Sequence, residues 1–197
     1  MLPEAVIFTD GSSSPKTLQG GWAAIVMLPT HFVELVGCAE QTTNNRMEMM
    51  AAIQGLKELK VPHKVYLVSD SAYLLNTIAK RWYNRWFADE MFFDGQYAKQ
   101  MGRFPRPNLD LWRVISSLAE FHEIVTIKVK GHSIGEDGHE YNHRVDELAL
   151  KARTQQLSSR RELPNGYDDA EEGFREMVSN GSGILVSEGK VNGDSNP

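Results

Sequence analysis

The sequence lacks the features that mark secreted and membrane-bound proteins. Cys38 is the only cysteine among 197 residues, which excludes an internal disulfide and a metal site built from several cysteines. No apolar run approaches the roughly 20 residues that a membrane-spanning helix requires. The N-terminus also lacks the basic and then apolar segments of a secretory signal. A cytoplasmic protein without a membrane partner is therefore expected.

A strong excess of one charge is absent from most of the chain. The formal net charge is −5, but residues 154–197 alone contain eight acidic and four basic side chains, so the remainder is nearly neutral. This balance argues against a strongly basic nucleic-acid binder, and any contact with nucleic acid must depend on a local patch.

Hydrophobic periodicity predicts alternating strands and helices over the first 153 residues. The first three strands form an antiparallel meander, and the later strands are reached through helices, so a mixed α/β sheet with helices packed against it is expected. The predicted strands span 4–10, 21–28, 32–39, 64–70 and 124–130, and the predicted helices span 45–60, 71–80, 109–121 and 142–153.

The composition changes near the end of the last predicted helix. Residues 1–153 contain enough apolar side chains for one domain, whereas residues 154–197 are acidic and rich in Gly, Ser and Asn. Such a tail buries little apolar surface, so we expect it to be largely flexible. Its short apolar piece, 183–186, could dock on the body or pair with a sheet edge. The acidic tail could instead bind a partner or cover a positive surface.

Four carboxylates are candidates for a shared site. Asp10 and Asp70 end two predicted strands, Glu48 lies in the first turn of a predicted helix, and Asp146 begins the last one. If the two strands are neighbours, these carboxylates converge and repel unless a cation neutralises them. Magnesium or manganese prefers such oxygen ligands. Each residue alone is equally typical of a turn, a helix cap or a solvated helix end.

Five sequence blocks occur in a fixed order around these acids. They are Asp10-Gly11-Ser12, 42–49 (TTNNRMEM), 69–73 (SDSAY), 130–133 (KGHS) and 142–149 (NHRVDELA). Together they resemble type 1 ribonuclease H, the endonuclease that cuts the RNA strand of RNA–DNA hybrids, over residues 4–153. The resemblance implies a ribonuclease H-like five-stranded mixed sheet, in strand order 3-2-1-4-5, with helices on both faces.

The resemblance also implies roles for particular residues. Asp10, Glu48, Asp70 and Asp146 match the carboxylates that hold two Mg²⁺ ions, which Mn²⁺ can replace, and His132 matches a loop histidine that assists proton movement or product release. The expected products are a 5′-phosphate and a 3′-hydroxyl. The expected partner is the hybrid substrate, with no obligate protein partner and a monomeric enzyme.

Substrate contacts are implied in the same way. Gly11, Asn44 and Asn45 match positions that contact the minor groove of the hybrid, and Thr43 with Asn108 matches a pocket for a phosphate of the DNA strand. The chain departs from the pattern at Gln41, where an arginine is usual, and at Ala72, where many relatives carry glutamine. Both departures concern affinity for the hybrid.

Residues 80–107 match the family's basic protrusion, the local patch that the neutral body requires. Residues 80–106 hold six basic and three acidic side chains, and Trp82 and Trp86 are one helical turn apart. These two aromatics either contact the DNA strand or pack into the core. The loop 133–143 carries three further acids, which either alter metal binding or are solvated.

Two other functions remain open from the residues. A DNA-processing nuclease of the same superfold, such as a transposase or resolvase, is disfavoured by the Asn44-Asn45 pair and by Glu48. A non-catalytic module that binds hybrids or duplexes is disfavoured because a binder has no need for four mutually repelling acids.

Overall fold

The computed structural model of the chain describes residues 1–92, 106–130 and 140–164, and these contain one mixed sheet and its packed helices. The strands are Glu4–Ser13 (β1), Gly20–Met27 (β2), His31–Ala39 (β3), Lys64–Ser69 (β4), Glu123–Lys128 (β5) and Ser159–Pro164 (β6). The helices are Asn44–Glu58 (α1), Ala72–Ala79 (α2), Trp82–Phe92 (α3), Leu109–Phe121 (α4) and Glu140–Gln155 (α5).

The sheet has the order β5-β4-β1-β2-β3-β6. Strands β1, β4 and β5 are parallel, whereas β1, β2, β3 and β6 pair antiparallel along the chain. The predicted order 3-2-1-4-5 is therefore confirmed. The parallel pairing of β1 with β4 matters for function, because it brings the carboxyl ends of both strands to the same edge of the sheet.

Alternate side chains of the central strands enter two separate cores. Ile7, Ala24 and Leu67 face α1, α2 and α4 on one side, and their cluster includes the fully buried Trp112. Phe8 and Val68 face the opposite side, where Val145 and other residues of α5 cover them. Helices therefore lie on both faces, as predicted, and the two-residue period of the strands produces this division. Within the described residues, no helix is long and apolar enough to cross a membrane.

The prediction of five strands is incomplete, because a sixth strand lies beyond residue 153. Strand β6 pairs with the edge of β3 over six residues, from His31 with Pro164 to Val36 with Ser159. Arg160 anchors it by donating to Glu58 at the end of α1, at 2.8 and 3.2 Å. The remainder of the predicted tail, from residue 165, lies outside the described residues.

Helix boundaries also differ from the predictions. Helix α5 begins at Glu140, two residues earlier than predicted, so this acid belongs to a helix and not to the loop before it. Glu48 lies in the second turn of α1, since the helix begins at Asn44 and its first turn contains no acid. Trp82 and Trp86 lie on helix α3. The sequence predicts that they are one helical turn apart, but not the bounds of this helix.

Candidate metal centre and nucleic-acid interface

Asp10 and Asp70 lie side by side at the carboxyl edge of the parallel strands. The register of β1 against β4 ends with Phe8 opposite Val68, and each aspartate stands two residues further along its strand direction. Asp10 is still within β1, which continues antiparallel to β2, and Asp70 follows directly after β4. The two carboxylates are thus placed by the backbone pairing of neighbouring strands, as the sequence predicts.

Glu48 reaches the same edge from helix α1. Thr43 caps the helix, and its hydroxyl accepts a hydrogen bond from the backbone N–H of Arg46. The absence of a side chain at Gly11 permits close approach, because a Cβ there would lie 2.3 Å from the backbone nitrogen of Glu48. Gly11 therefore has a packing role that determines how near Glu48 comes to Asp10.

The three carboxylates form a compact cluster. One oxygen of each of Asp10, Glu48 and Asp70 lies within 4.8 Å of the others, the only such group of potential metal ligands in the described ranges. Asp146, on α5, is outside this group of three, but its charge contributes to the raised pKa of Asp10. All four predicted carboxylates are therefore close enough to interact.

Burial and mutual repulsion make the cluster unfavourable when it is fully ionised. Burial raises the pKa of Asp10 to about 8, and repulsion from Asp70 adds to this rise, although the backbone N–H of Gly11 donates to Asp10 Oδ1 at 2.7 Å and opposes it. Burial also raises the pKa of Glu48, an effect partly offset by the Ser71 hydroxyl and the Asn44 amide. Carboxylates with this behaviour are stabilised as anions when a cation binds between them.

The donor set fits a hard divalent cation. Its members are all carboxylate oxygens, the ligand type that Mg²⁺ and Mn²⁺ prefer. Glu48 is 8% exposed, and its Oε2 atom is buried without a hydrogen-bond partner, so this oxygen remains available as a ligand. A buried carboxylate oxygen that contacts no donor is costly unless something else binds it.

A chain of hydrogen bonds holds Glu48 in place. Asn44 Nδ2 donates to Glu48 Oε1 at 2.7 Å, and Asn44 Oδ1 accepts from the backbone N–H of Ser13 at 3.1 Å. Arg153 on α5 donates to the Ser13 carbonyl at 3.1 Å. Each end of the Asn44 amide therefore makes a hydrogen bond within the chain, and both Asn44 and the neighbouring Asn45 are exposed on the surface.

Arg46 contacts both Thr43 and Asn108. Arg46 donates through its backbone N–H to Thr43, and through Nη1 to Asn108 Oδ1 at 3.3 Å. The same guanidinium makes two bonds to Asp110, at 3.0 and 2.6 Å. The sequence alone assigns no role to Arg46 or Asp110. The position of Arg46 within the TTNNRMEM block was the one available signal.

Helix α3 presents an aromatic and basic cleft. Trp82, Arg85, Trp86 and Arg106 line a cleft of about 390 Å³. Trp82 is 43% exposed, whereas Trp86 packs edge-on against the buried Trp112 at 5.9 Å between ring centroids. Cations approach both rings, since Lys80 Nζ lies 5.1 Å from the centre of the Trp82 ring and Arg106 lies 5.9 Å from that of Trp86.

Comparison with known proteins identifies the family of this chain. A family model described as RNase H matches residues 3–154. The chain belongs to the RNase H family. A protein named Ribonuclease H from Chlorobium phaeobacteroides (strain BS1) is 43% identical to this RNase H over 152 residues, which cover 77% of this chain and 97% of that protein. Ribonuclease H from Acetivibrio thermocellus is 42% identical over 148 residues, covering 75% and 93% of the two chains.

A solved structure supports the RNase H fold independently. LC9-RNase H1, described as a type 1 RNase H with the type 2 active-site motif, superposes with a TM-score of 0.65 at 21% sequence identity. The match covers 92% of this chain and 85% of that one. At this low identity the likeness bears on the fold alone, and it extends over most of this chain.

Some of the predicted site residues are not brought together by the described structure. His132 and most of the loop 133–143 lie outside the described residues, as do the basic residues Lys99 and Arg103. Gln41 is exposed and has a positive φ of 52°. Ala72 begins α2, close after Asp70 in this RNase H. Of the predicted site residues, the structure therefore describes all but His132: the four carboxylates, the Thr43–Asn108 pair, Gly11 with Asn44 and Asn45, and the two tryptophans of α3.

Proposed function

We propose that this RNase H is an endonuclease that hydrolyses the RNA strand of RNA–DNA hybrids with the help of two Mg²⁺ ions. Products would carry a 5′-phosphate and a 3′-hydroxyl. The observation that carries the proposal is the convergence of Asp10, Glu48 and Asp70 at one sheet edge, with Asp146 close by. The similarity to proteins named Ribonuclease H over 152 residues supports the choice of substrate.

The four carboxylates are the groups that would hold the ions. Bound divalent ions supply an activated water and positive charge at the phosphate that is cut. The residues of the chain contribute position: Asp10 and Asp70 are fixed by strand pairing, and Glu48 is fixed by the bond from Asn44. A cation bound among the four carboxylates would relieve the repulsion between them, which favours its binding there. Mn²⁺ has the same ligand preference and is expected to replace Mg²⁺.

We propose that three surfaces of the chain recognise the hybrid. Gly11, Asn44 and Asn45 lie beside Glu48, where minor-groove contacts would read the 2′-hydroxyls of the RNA strand. Thr43 and Asn108 would bind a phosphate of the DNA strand. The cleft of α3 would bind the DNA strand further along, since the exposed Trp82 offers a flat apolar surface beside Lys80 and Arg85.

The proposal also retains several expectations from the sequence. His132 is assigned to proton movement or product release. The proposed catalytic domain spans 1–153 and includes the protrusion 80–107, and the proposed tail spans 154–197, of which the first part forms β6 and pairs with the sheet. We also retain a monomeric, cytoplasmic enzyme that needs no protein partner.

A cleavage assay tests the proposal directly. End-labelled RNA–DNA hybrid, duplex RNA and duplex DNA of one sequence are incubated with Mg²⁺, Mn²⁺ or a chelator. We expect cleavage of the RNA strand of the hybrid alone, lost with the chelator and in Asp70→Asn. Glu162→Gln, which neutralises an exposed acid on β6, is the matched control and should retain activity.

The number of ions is a separate question with its own measurement. Calorimetric titration of Mg²⁺ into the enzyme bound to an uncleavable hybrid should give two ions per chain, and Asp10→Asn should reduce this number. Cleavage of duplex DNA instead of the hybrid would support a DNA-processing nuclease. Tight hybrid binding without cleavage in any metal would mean that the chain is a binding module, and either result overturns the proposal.

A further inference from the structure

The guanidinium of Arg46 holds two side chains at the start of helix α4. Nη1 and Nη2 form a fork with the two carboxylate oxygens of Asp110, at 3.0 and 2.6 Å. Nη1 also donates to Asn108 Oδ1 at 3.3 Å. The pairing raises the pKa of Arg46 and lowers that of Asp110, chiefly through the hydrogen bonds between them. Arg46, whose side chain is 34% exposed, thus links α1 to the start of α4 through three hydrogen bonds.

The contact determines which way the amide of Asn108 faces. A guanidinium has only donors, so the atom of Asn108 that it contacts must be the carbonyl oxygen. The two N–H donors of the amide are then directed away from Arg46. Asn108 precedes α4 with a positive φ of 63° and makes no side-chain capping bond. Its side chain is therefore not needed to cap the helix, and its orientation depends on Arg46.

Arg46 contacts both members of the pair assigned to the DNA-strand phosphate. Its backbone N–H donates to the Thr43 hydroxyl, which keeps its own hydrogen as a donor. Gln41 is neutral, and the charge of Arg46 is balanced by Asp110. The pocket consequently offers neutral hydrogen-bond donors whose directions matter more than a net charge does.

We propose that Arg46 is a positioning residue for the DNA strand: clamped by Asp110, it orients the Asn108 amide so that its N–H donors meet a backbone phosphate. The inference rests on the proposed function and adds a residue that acts through Asn108. The guanidinium of Arg46 bonds to both Asp110 oxygens and to Asn108 in one plane. The single ammonium of a lysine cannot do this, so a lysine at position 46 cannot replace the arginine.

The test compares steady-state kinetics of Arg46→Ala, Arg46→Lys, Asn108→Ala and the double variant Arg46→Ala/Asn108→Ala. Each single variant should raise KM about tenfold, the order expected for one lost hydrogen bond to a charged group, with kcat within about twofold of the wild type. The double variant should be no worse than Asn108→Ala, because both changes remove the same contact. Arg160→Gln, which breaks a similar arginine–carboxylate pair at β6, is the control and should leave KM unchanged.

A modified substrate separates positioning from a general loss of stability. A neutral methylphosphonate is placed at successive positions of the DNA strand of the hybrid. In the wild type, one position should raise KM, and in Arg46→Ala that position should no longer have an effect. A purely structural role for Arg46 would lower the melting temperature and leave the positional pattern unchanged, which would overturn the inference.

Other outcomes are also decisive. A wild-type KM in Arg46→Lys would mean that charge and not the fork is needed, and additive effects in the double variant would mean that Arg46 acts independently of Asn108. Either result contradicts the inference. If the wild type binds the hybrid without cutting it, the proposed function fails, and the same variants compared by dissociation constant in chelator still test Arg46.

Discussion

Replacing Asp10 by asparagine should stabilise the metal-free enzyme. Asparagine is nearly the same size as aspartate and can still accept the hydrogen bond from the Gly11 N–H, which is 2.7 Å long in the wild type. It removes the charge that Asp70, Asp146 and Glu48 repel. The substitution therefore relieves an unfavourable interaction without creating a cavity.

The size of the effect follows from the pKa of Asp10. The pKa rises from 3.8 to about 8 on folding, and each pKa unit corresponds to about 1.4 kcal/mol. Ionising Asp10 in the folded chain thus costs at most about 6 kcal/mol. Asp10 titrates together with the neighbouring acids, so only part of this cost belongs to Asp10 alone. We expect Asp10→Asn to be about 2–4 kcal/mol more stable to unfolding than the wild type.

The direction of the pH dependence is fixed. A folded pKa above the unfolded value means that the folded state binds the proton more tightly than the unfolded state does. The contribution of Asp10 to folding stability is therefore fully present below pH 3.8. It is lost as the pH rises through about 8. The advantage of Asp10→Asn should therefore grow with pH.

Urea unfolding in chelator measures this advantage. The wild type and Asp10→Asn are compared at pH 5.5 and pH 8.5, and the difference in unfolding free energy should be larger at the higher pH. Added Mg²⁺ should stabilise the wild type more than the variant, because the ion binds the folded carboxylates. A variant that is no more stable than the wild type at pH 8.5 in chelator would refute the assignment of charge repulsion to the cluster.

Three further predictions concern other parts of the molecule. Burial, aided by repulsion from His63, lowers the pKa of His122, so folding stability should fall as pH drops below about 6.5 and His122→Gln should flatten this fall in urea titrations. Gly11→Ala should lower kcat at least about tenfold, because its Cβ would displace Glu48, while circular dichroism stays unchanged. Trp82→Ala should weaken hybrid binding by about 1–3 kcal/mol in anisotropy titrations without lowering the melting temperature, since Trp82 is 43% exposed.

The carboxylate site could be anticipated because local signals locate its parts. Asp10 and Asp70 end apolar runs, and one parallel crossover suffices to place them together. The predicted helix begins at residue 45, whereas α1 begins at Asn44 after the Thr43 cap, so Glu48 falls one position further along the helix, in its second turn and not its first. Errors of this size do not alter which edge of the sheet the residue reaches.

Features that depend on distant partners could not be anticipated. Strand β6 shows little alternation of apolar and polar residues. It forms because its backbone pairs with the edge of β3 and because its Arg160 bonds to the carboxylate of Glu58. The link from Arg46 to Asp110 joins residues 64 positions apart, and the partly buried Trp86 packs against Trp112. Tertiary contacts of this kind leave no periodic pattern in the sequence.

Strand β6 changes the dynamics expected of helix α5, which carries Asp146. A helix at the end of a folded body frays from its free end, but α5 is followed after three residues by a strand paired to β3. Opening the last turns of α5 then requires release of the β3–β6 ladder, so the two should exchange their amide hydrogens as one cooperative unit. The C-terminal end of the helix that carries the fourth carboxylate is in this way tethered to the far edge of the sheet, and its opening is set by the pairing of β6 with β3.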